Sequence, residues 1–315
     1  MTTTTRSGAE GAGIHHITAI TGDGRANIRF YRDVLGLRLV KRTVNFDDPT
    51  AHHLYFGDAT GKPGTILTFF AWAGAHRGKP GTGEAQTIAF RVPEASLDWW
   101  RTHLGELGIP FAAERRFGEE LVALTDPDGI CLELVAAGPS DPDAWVDSAV
   151  PPVHAVTGFH GVTLHVGPGE GTARVLSDVL GFAGTKEDGD RRRFSTGSDT
   201  VGGHVDVVVD AKRVPSSMGA GSIHHVAFRA ADDAAQAAMA EALQEMRVGT
   251  TEQKDRTYFR SIYFREPGGV IFEIATDAPG FAIDESVETL GTALKLPPQY
   301  EAYRGKIEAA LPDID

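Results

Sequence analysis

The sequence predicts an α+β protein of four βαβββ modules that form two cupped β-barrels with external helices. Three observations predict it. Similar segments recur along the chain at regular offsets, each unit passes from alternating to helical to β-rich sequence, and a sheet of so few strands has a bare face that must be covered. "GIHHITAI" runs into "DGRANIRFYRDVLGLRLVKR", and "GFHGVTLHV" runs into "GEGTARVLSDVLGFAGTKE"; His15 and His160, like Asp33 and Asp178, stand 145 residues apart. "AQTIAFRV" and "IHHVAFRA" share Ala-Phe-Arg at 89–91 and 227–229, an offset of 138. Glu133 in "DPDGICLELV" lines up with Glu273 in "EPGGVIFEIA" at an offset of 140. The units span 12–72, 84–138, 156–211 and 220–277.

Each unit opens on a strand with alternating apolar and polar residues. In the first, Ala26, Phe30 and Val34 then recur every four residues with Tyr31 and Leu35 alongside, which makes one apolar helix stripe, and Gly36 provides a left-handed stop. The helix of the second unit, "SLDWWRTHLGELG", is expected to take Ser96 as its N-cap and to end at Gly108. "GPSDPDAWVDSAVPPVHAV", rich in Pro, Asp and Ser, reads as a linker. The expected domains are an N-terminal half, 12–138, a C-terminal half, 156–277, each with two modules, and a tail, 278–315, ending in a short amphipathic helix packed on the outside.

Composition limits the function. A hydrophobic content of 41% with 23% charged residues is ordinary for a globular chain, and 315 residues suffice for about two cores. The formal net charge of −13 argues against nucleic acid and membrane surfaces, which need a basic field. Cys131 is the single cysteine, so an intrachain disulfide and a thiolate cluster are excluded. "MTTTTRSGAEGAG" has no apolar core of a signal sequence and reads as a loose tail; the expected compartment is the cytoplasm.

Two histidine doublets, His15–His16 and His224–His225, occupy first strands. Alternation allows only one of each pair to point into a cup. Glu273 stands inside the apolar run "GGVIFEIAT", and burying a lone carboxylate costs several kcal/mol unless a cation or proton is near. Pairing decides where a metal could sit. If units one and four share a cup, the first-strand and last-strand positions hold His16, Thr68, His225 and Glu273; units two and three would offer Thr87, Glu133, Gly161 and Val207. Sequential pairing separates the two imidazoles. The crossed pairing alone yields two histidines and a carboxylate with open positions, the set associated with non-heme Fe(II) oxygenases. A single buried histidine is more often a hydrogen-bonded core residue than a ligand, but two doublets at equivalent strands with a glutamate on the partner strand shift the balance to metal. His52 and His53 are expected at the rim or against substrate, Glu133 against backbone or an arginine. His76, His103, His154, His165 and His204 show no partner pattern.

At these residues the chain resembles the vicinal oxygen chelate (glyoxalase/bleomycin-resistance/dioxygenase) superfamily, and within it the ring-cleaving dioxygenases related to hydroquinone 1,2-dioxygenases. "GIHHIT", "FYRDVLGLRLVKRTVNFDDP", "HLYFGDATGKPGT", "FRSIYFREPGGVIFEIATD" and "LPPQYE" carry the resemblance over nearly the whole chain. It implies Fe(II), or Mn(II), on His16, His225 and Glu273, with His15, His224, Arg256 of "KDRTYFR" and Tyr263 of "SIYF" around the substrate. The implied reaction opens the ring of a dihydroxylated aromatic, hydroquinone or catechol, with O₂. A homo-oligomer is compatible with this reading.

Three other readings use the same residues differently. A glyoxalase-type lyase or isomerase would use the same cup with a fourth protein ligand, where this chain has Thr68. A non-catalytic protein that sequesters an aromatic compound would not need the ligand set. A structural two-barrel module would leave a buried Glu273 unexplained.

Overall fold

In a computed structural model, residues 13–197, 200–210 and 214–314 are described; the expected loose tail, apart from Gly13, lies outside them. The first unit carries β1 (Ile14–Thr21), β2 (Arg38–Val44), β3 (His52–Gly57) and β4 (Ile66–Ala71). The second carries β5 (Glu84–Val92), β6 (Phe111–Arg116), β7 (Glu119–Thr125) and β8 (Cys131–Ala136). The third has β9 (Phe159–Val166), β10 (Ala183–Asp188), β11 (Arg191–Ser195) and β12 (His204–Val209), and the fourth β13 (Ile223–Ala230), β14 (Lys254–Asp255), β15 (Arg260–Arg265) and β16 (Ile271–Thr276). One helix follows each first strand: α1 (Gly24–Ile28), prolonged by a wider turn over Arg29–Val34, α2 (Leu97–Glu106), α3 (Glu170–Asp178) and α4 (Asp233–Glu245); α5 (Arg304–Ala310) lies in the tail.

The strands form two curled eight-stranded sheets, an α+β fold of vicinal-oxygen-chelate type. One has the order β14-β15-β16-β13-β1-β4-β3-β2 and the other β10-β11-β12-β9-β5-β8-β7-β6. Units one and four therefore share a sheet, as do two and three, which is the crossed pairing. Within each unit the first strand pairs in parallel with the last, and the two units meet through antiparallel first strands, β1 with β13 and β5 with β9.

Helices cover the convex faces. Tyr31 packs its ring 5.4 Å from Phe56 and 4.8 Å from Phe69, so the predicted apolar stripe of the first helix meets its own sheet. Phe56, Phe69, Phe90 and Phe272 are fully buried, each stabilising the fold by about 1.5–3 kcal/mol relative to exposure. Gly36 and Gly108 take φ of 71° and 66°, the expected helix stops. Ser96 departs from expectation: a short 3-10 turn, Glu94–Ser96, precedes α2, and the Ser96 hydroxyl bonds to His154 Nδ1 at 3.0 Å instead of capping. The tail helix α5 packs Ile307 on the outer side of the first sheet, against Val44 and Leu296. No helix among the described residues is long and apolar enough to cross a membrane.

Candidate metal centre

Each sheet bends where its two units join, and the bend departs from simple alternation. In the β1–β13 ladder Ile14 faces Phe228 and His16 faces Ala227, leaving His15 as an extra residue; Thr18 faces His225 and Ala19 faces Ile223, leaving His224 extra. These are β-bulges, which locally suspend the rule that neighbours point to opposite faces. Both members of each doublet are thus held together. His15 Nδ1 lies 2.9 Å from His16 Nδ1, and His224 Nδ1 lies 2.7 Å from His225 Nδ1. At His224–His225 both rings border the cavity, which corrects the expectation that only one of a doublet faces the cup, because the bulge turns the second ring alongside the first; at His15–His16 only His16 does.

His16 and His225 approach the same carboxylate. His16 Nε2 is 3.3 Å and His225 Nε2 2.9 Å from Glu273 Oε2, and all three side chains are buried. Despite those distances Glu273 Oε2 has no hydrogen bond of acceptable geometry, so the three atoms converge without satisfying one another. The other oxygen, Oε1, accepts from the Ser261 hydroxyl. Burial alone would push the Glu273 carboxyl up, but the His16 and His225 imidazoles beside it prevail and hold it well below the usual carboxylate range. Burial pulls His225 down, and burial with the adjoining ring pulls His224 to about 3 and His15 well below its ordinary value. Neutral outer rings can accept at Nδ1 from the inner ones, which leaves both inner Nε2 atoms as lone pairs directed at one point. Two imidazole nitrogens converging on a buried carboxylate oxygen that is otherwise unsatisfied fit a first-row divalent cation.

A cavity of about 370 Å³ opens above these atoms, lined by His16, Thr18, His53, Tyr55, His224, His225, Arg256 and Tyr263 among others. Arg256 Nε donates to Tyr263 Oη at 3.1 Å, its guanidinium lies 5.3 Å from the centre of that ring, and Nη2 reaches Asp47 Oδ2 at 3.3 Å. Tyr263 is the ladder partner of Glu273, and burial pushes its phenol up, so it stays protonated. His15 sits behind His16 and against Phe259 rather than in the cavity wall. His53 lies in the wall, while His52 turns away to the backbone of Pro312 at 2.9 Å.

The second sheet holds another cluster, Glu119, His160 and His204, which the sequence reading missed although His160 is the counterpart of His15. Here a guanidinium is already present. Arg193 binds Asp206 through Nε at 2.7 Å and Nη2 at 3.1 Å and reaches Glu119 through Nη1; Arg191 reaches Asp206 at 3.2 Å. A divalent ion would face these positive charges, so this cluster is balanced without one. One correction follows. The position equivalent to Glu273 is Asp206, opposite Thr163 as Glu273 is opposite Ala227, and not Val207. The position equivalent to His16 is Gly161, where an added Cβ would lie 2.4 Å from the His204 carbonyl oxygen, so no side chain can stand there. Glu133 is held by Arg116, as expected.

Crossed βαβββ pairs around an open cup with two histidines and a carboxylate define a protein of the vicinal-oxygen-chelate class with a candidate divalent metal site. The family model of the "Glyoxalase/Bleomycin resistance protein/Dioxygenase superfamily" matches residues 13–134 and 158–274, and the chain belongs to that family. It is 44% identical over 95% of both chains to the Bacillus subtilis protein named "Putative ring-cleaving dioxygenase MhqO". It is 33% identical to the chlorohydroquinone/hydroquinone 1,2-dioxygenase of Sphingobium indicum over 96% of both chains. The crystal structure of a "putative dioxygenase" from Bacillus subtilis superposes with a TM-score of 0.93 at 43% identity, covering 98% of this chain and 99% of that one.

Proposed function

We propose that the protein is a ring-cleaving dioxygenase of extradiol type that opens a dihydroxylated aromatic, hydroquinone or catechol, with O₂. The carrying observation is the convergence of His16 Nε2, His225 Nε2 and Glu273 Oε2 on one point at the floor of a cavity, with the carboxylate oxygen otherwise unsatisfied. These three residues would hold Fe(II) or Mn(II); with two neutral rings and one carboxylate the site keeps a net charge near +1, suited to a singly deprotonated phenol. When bound, the metal supplies Lewis acidity that lowers the pKa of a substrate hydroxyl and open positions for O₂.

The chain's own residues do the rest. Ser261 fixes the carboxylate's rotation, and His15 and His224 set the tautomers of the inner rings by accepting at Nδ1. His224, which also lines the cavity, would offer its Nε2 hydrogen to a substrate oxygen, since its Nδ1 accepts from His225. Arg256 and Tyr263 form a donor pair for the second oxygen of the ring, and Phe46, Phe70 and Trp72 supply an apolar slot for its carbons. The relatives named for hydroquinone and ring cleavage share this chain's full length, which supports the reaction class.

The test is metal analysis of anaerobically purified protein followed by oxygen uptake with hydroquinone and catechol after Fe(II) or Mn(II) loading. Uptake stoichiometric with ring loss is expected. Turnover of a methylglyoxal–thiol adduct without oxygen uptake would establish the lyase or isomerase reading instead, and binding of dihydroxybenzenes without turnover the sequestering one.

A further inference from the structure

In the wall of the cavity, four side chains form a hydrogen-bonded row. Tyr55 Oη lies 2.9 Å from His53 Nδ1, His53 Nε2 lies 2.8 Å from Thr68 Oγ1, and Thr68 Oγ1 donates to Thr18 Oγ1 at 2.9 Å. Thr68 and Thr18 are buried, and Thr18, His53 and Tyr55 border the cavity.

The row has a direction. Thr68 has one hydroxyl hydrogen and gives it to Thr18, so the contact with His53 must be filled by a proton on Nε2. That leaves Nδ1 of the neutral ring as an acceptor for the Tyr55 hydroxyl. Every hydrogen in the row is then committed except the last. Thr18 accepts from Thr68, and its own hydrogen has no protein acceptor among the described residues.

Its position gives that hydrogen a purpose. Thr18 and Thr68 are ladder partners across β1 and β4, as Ala227 and Glu273 are across β13 and β16. Thr68 thus occupies the place that mirrors the carboxylate, where a fourth protein ligand would stand. Thr18 is two residues from His16 on the same strand and directly opposite His225.

We propose that this quarter of the cup is a substrate-binding device: the Thr18 hydroxyl donates to an oxygen substituent of the bound aromatic, and Thr68, His53 and Tyr55 are positioning residues that compel it to donate. The proposal rests on the dioxygenase reading for the identity of the ligand, a dihydroxybenzene. It assigns that ligand a donor on β1, separate from the Arg256–Tyr263 pair.

The test is anaerobic calorimetric titration of hydroquinone into metal-loaded protein, with metal content measured on every sample. Thr18→Val keeps the shape and removes the donor, and is expected to weaken binding by about 10-fold, with metal content unchanged. Thr18→Ser should restore binding to within about 3-fold of the parent, which a purely structural role for the methyl group would not give. Thr68→Val releases the constraint on Thr18 and should cause a smaller, measurable loss. Unchanged binding in Thr18→Val, or equal losses in Thr18→Ser and Thr18→Val, overturns the Thr18 assignment while leaving the dioxygenase reading intact. A full effect of Thr18→Val with none from Thr68→Val overturns the positioning role of the row. If the parent protein holds metal but binds no dihydroxybenzene, the dioxygenase reading and this proposal fall together.

Discussion

His16 and Glu273 stand 257 residues apart in sequence, and their Nε2 and Oε2 atoms lie 3.3 Å apart in the fold. The approach exists because the first strand of unit one pairs with the first strand of unit four, whose own parallel neighbour carries the carboxylate. Replacing His16, His225 or Glu273 by Ala should each lower metal affinity by more than about 100-fold, beyond the loss expected for an outer residue. Glu133→Ala is the control, since that glutamate occupies the corresponding strand of unit two but is held by Arg116. Metal content after anaerobic purification checks this: equal retention in His16→Ala and the parent would refute the centre.

The hydroxyl of Ser261 binds the carboxylate oxygen that faces away from the histidines. Removing it frees Glu273 to rotate and leaves Oε1 unpaired in an apolar strand. Ser261→Ala should therefore reduce metal affinity by roughly 10–100-fold while leaving the fold in place. Competition against a chelator of known affinity, with circular dichroism to monitor folding, measures it.

How much of this was legible in the sequence follows from the kind of information each feature uses. Repeat offsets marked the four units, the crossed pairing stood out because it alone brings two histidines and a carboxylate into one cup, and the isolated charge of Glu273 marked its strand because apolar context makes a carboxylate conspicuous. The bulges at His15 and His224 were not legible: alternation is the only local rule for a strand, and a one-residue insertion shows itself only against a partner. Ser261 was within reach, since it lies two residues from Tyr263, the ladder partner of Glu273, and so on the same face as that carboxylate, but a serine in a strand carries no signal alone. The Glu119–His160–His204 cluster draws on three strands of two units, and its arginine partner is invisible until Arg193 is placed beside Asp206.

That second cluster gives a pH dependence with a definite sign. Burial, reinforced by His160 and Arg193, lowers His204 to about 4 from its ordinary 6.5. The folded state then binds this proton less readily than the unfolded state. The stability the group contributes is complete above about pH 6.5 and is lost as pH falls towards 4. His204→Gln cannot titrate. Between pH 7.5 and pH 5 the parent should lose on the order of 1–2 kcal/mol more than the variant, read as the difference of their urea unfolding free energies at the two pH values. A parallel decline would show that His204 takes no part.

Lys41 is wholly buried in β2, where its ammonium binds Asp284 at 2.6 Å and also Glu285, so that the strand is tied to the first part of the tail. Glu285 Oε1 has no hydrogen-bond partner among the described residues, which leaves the lysine as the main compensation for a carboxylate that is itself almost fully buried. Lys41→Met fills a similar volume but strands that charge, and should destabilise the protein by about 3–5 kcal/mol. The loss is expected to come from the unpaired carboxylate rather than from the missing attraction, because two charges taken out of water barely repay their desolvation. Lys41→Met combined with Glu285→Gln should therefore recover a substantial part of the stability, measured by urea unfolding at pH 7.5. If the double variant is no more stable than Lys41→Met alone, burial of an unpaired charge is not what the lysine prevents, and its packing against Tyr258, 5.0 Å below the ammonium, becomes the larger contribution.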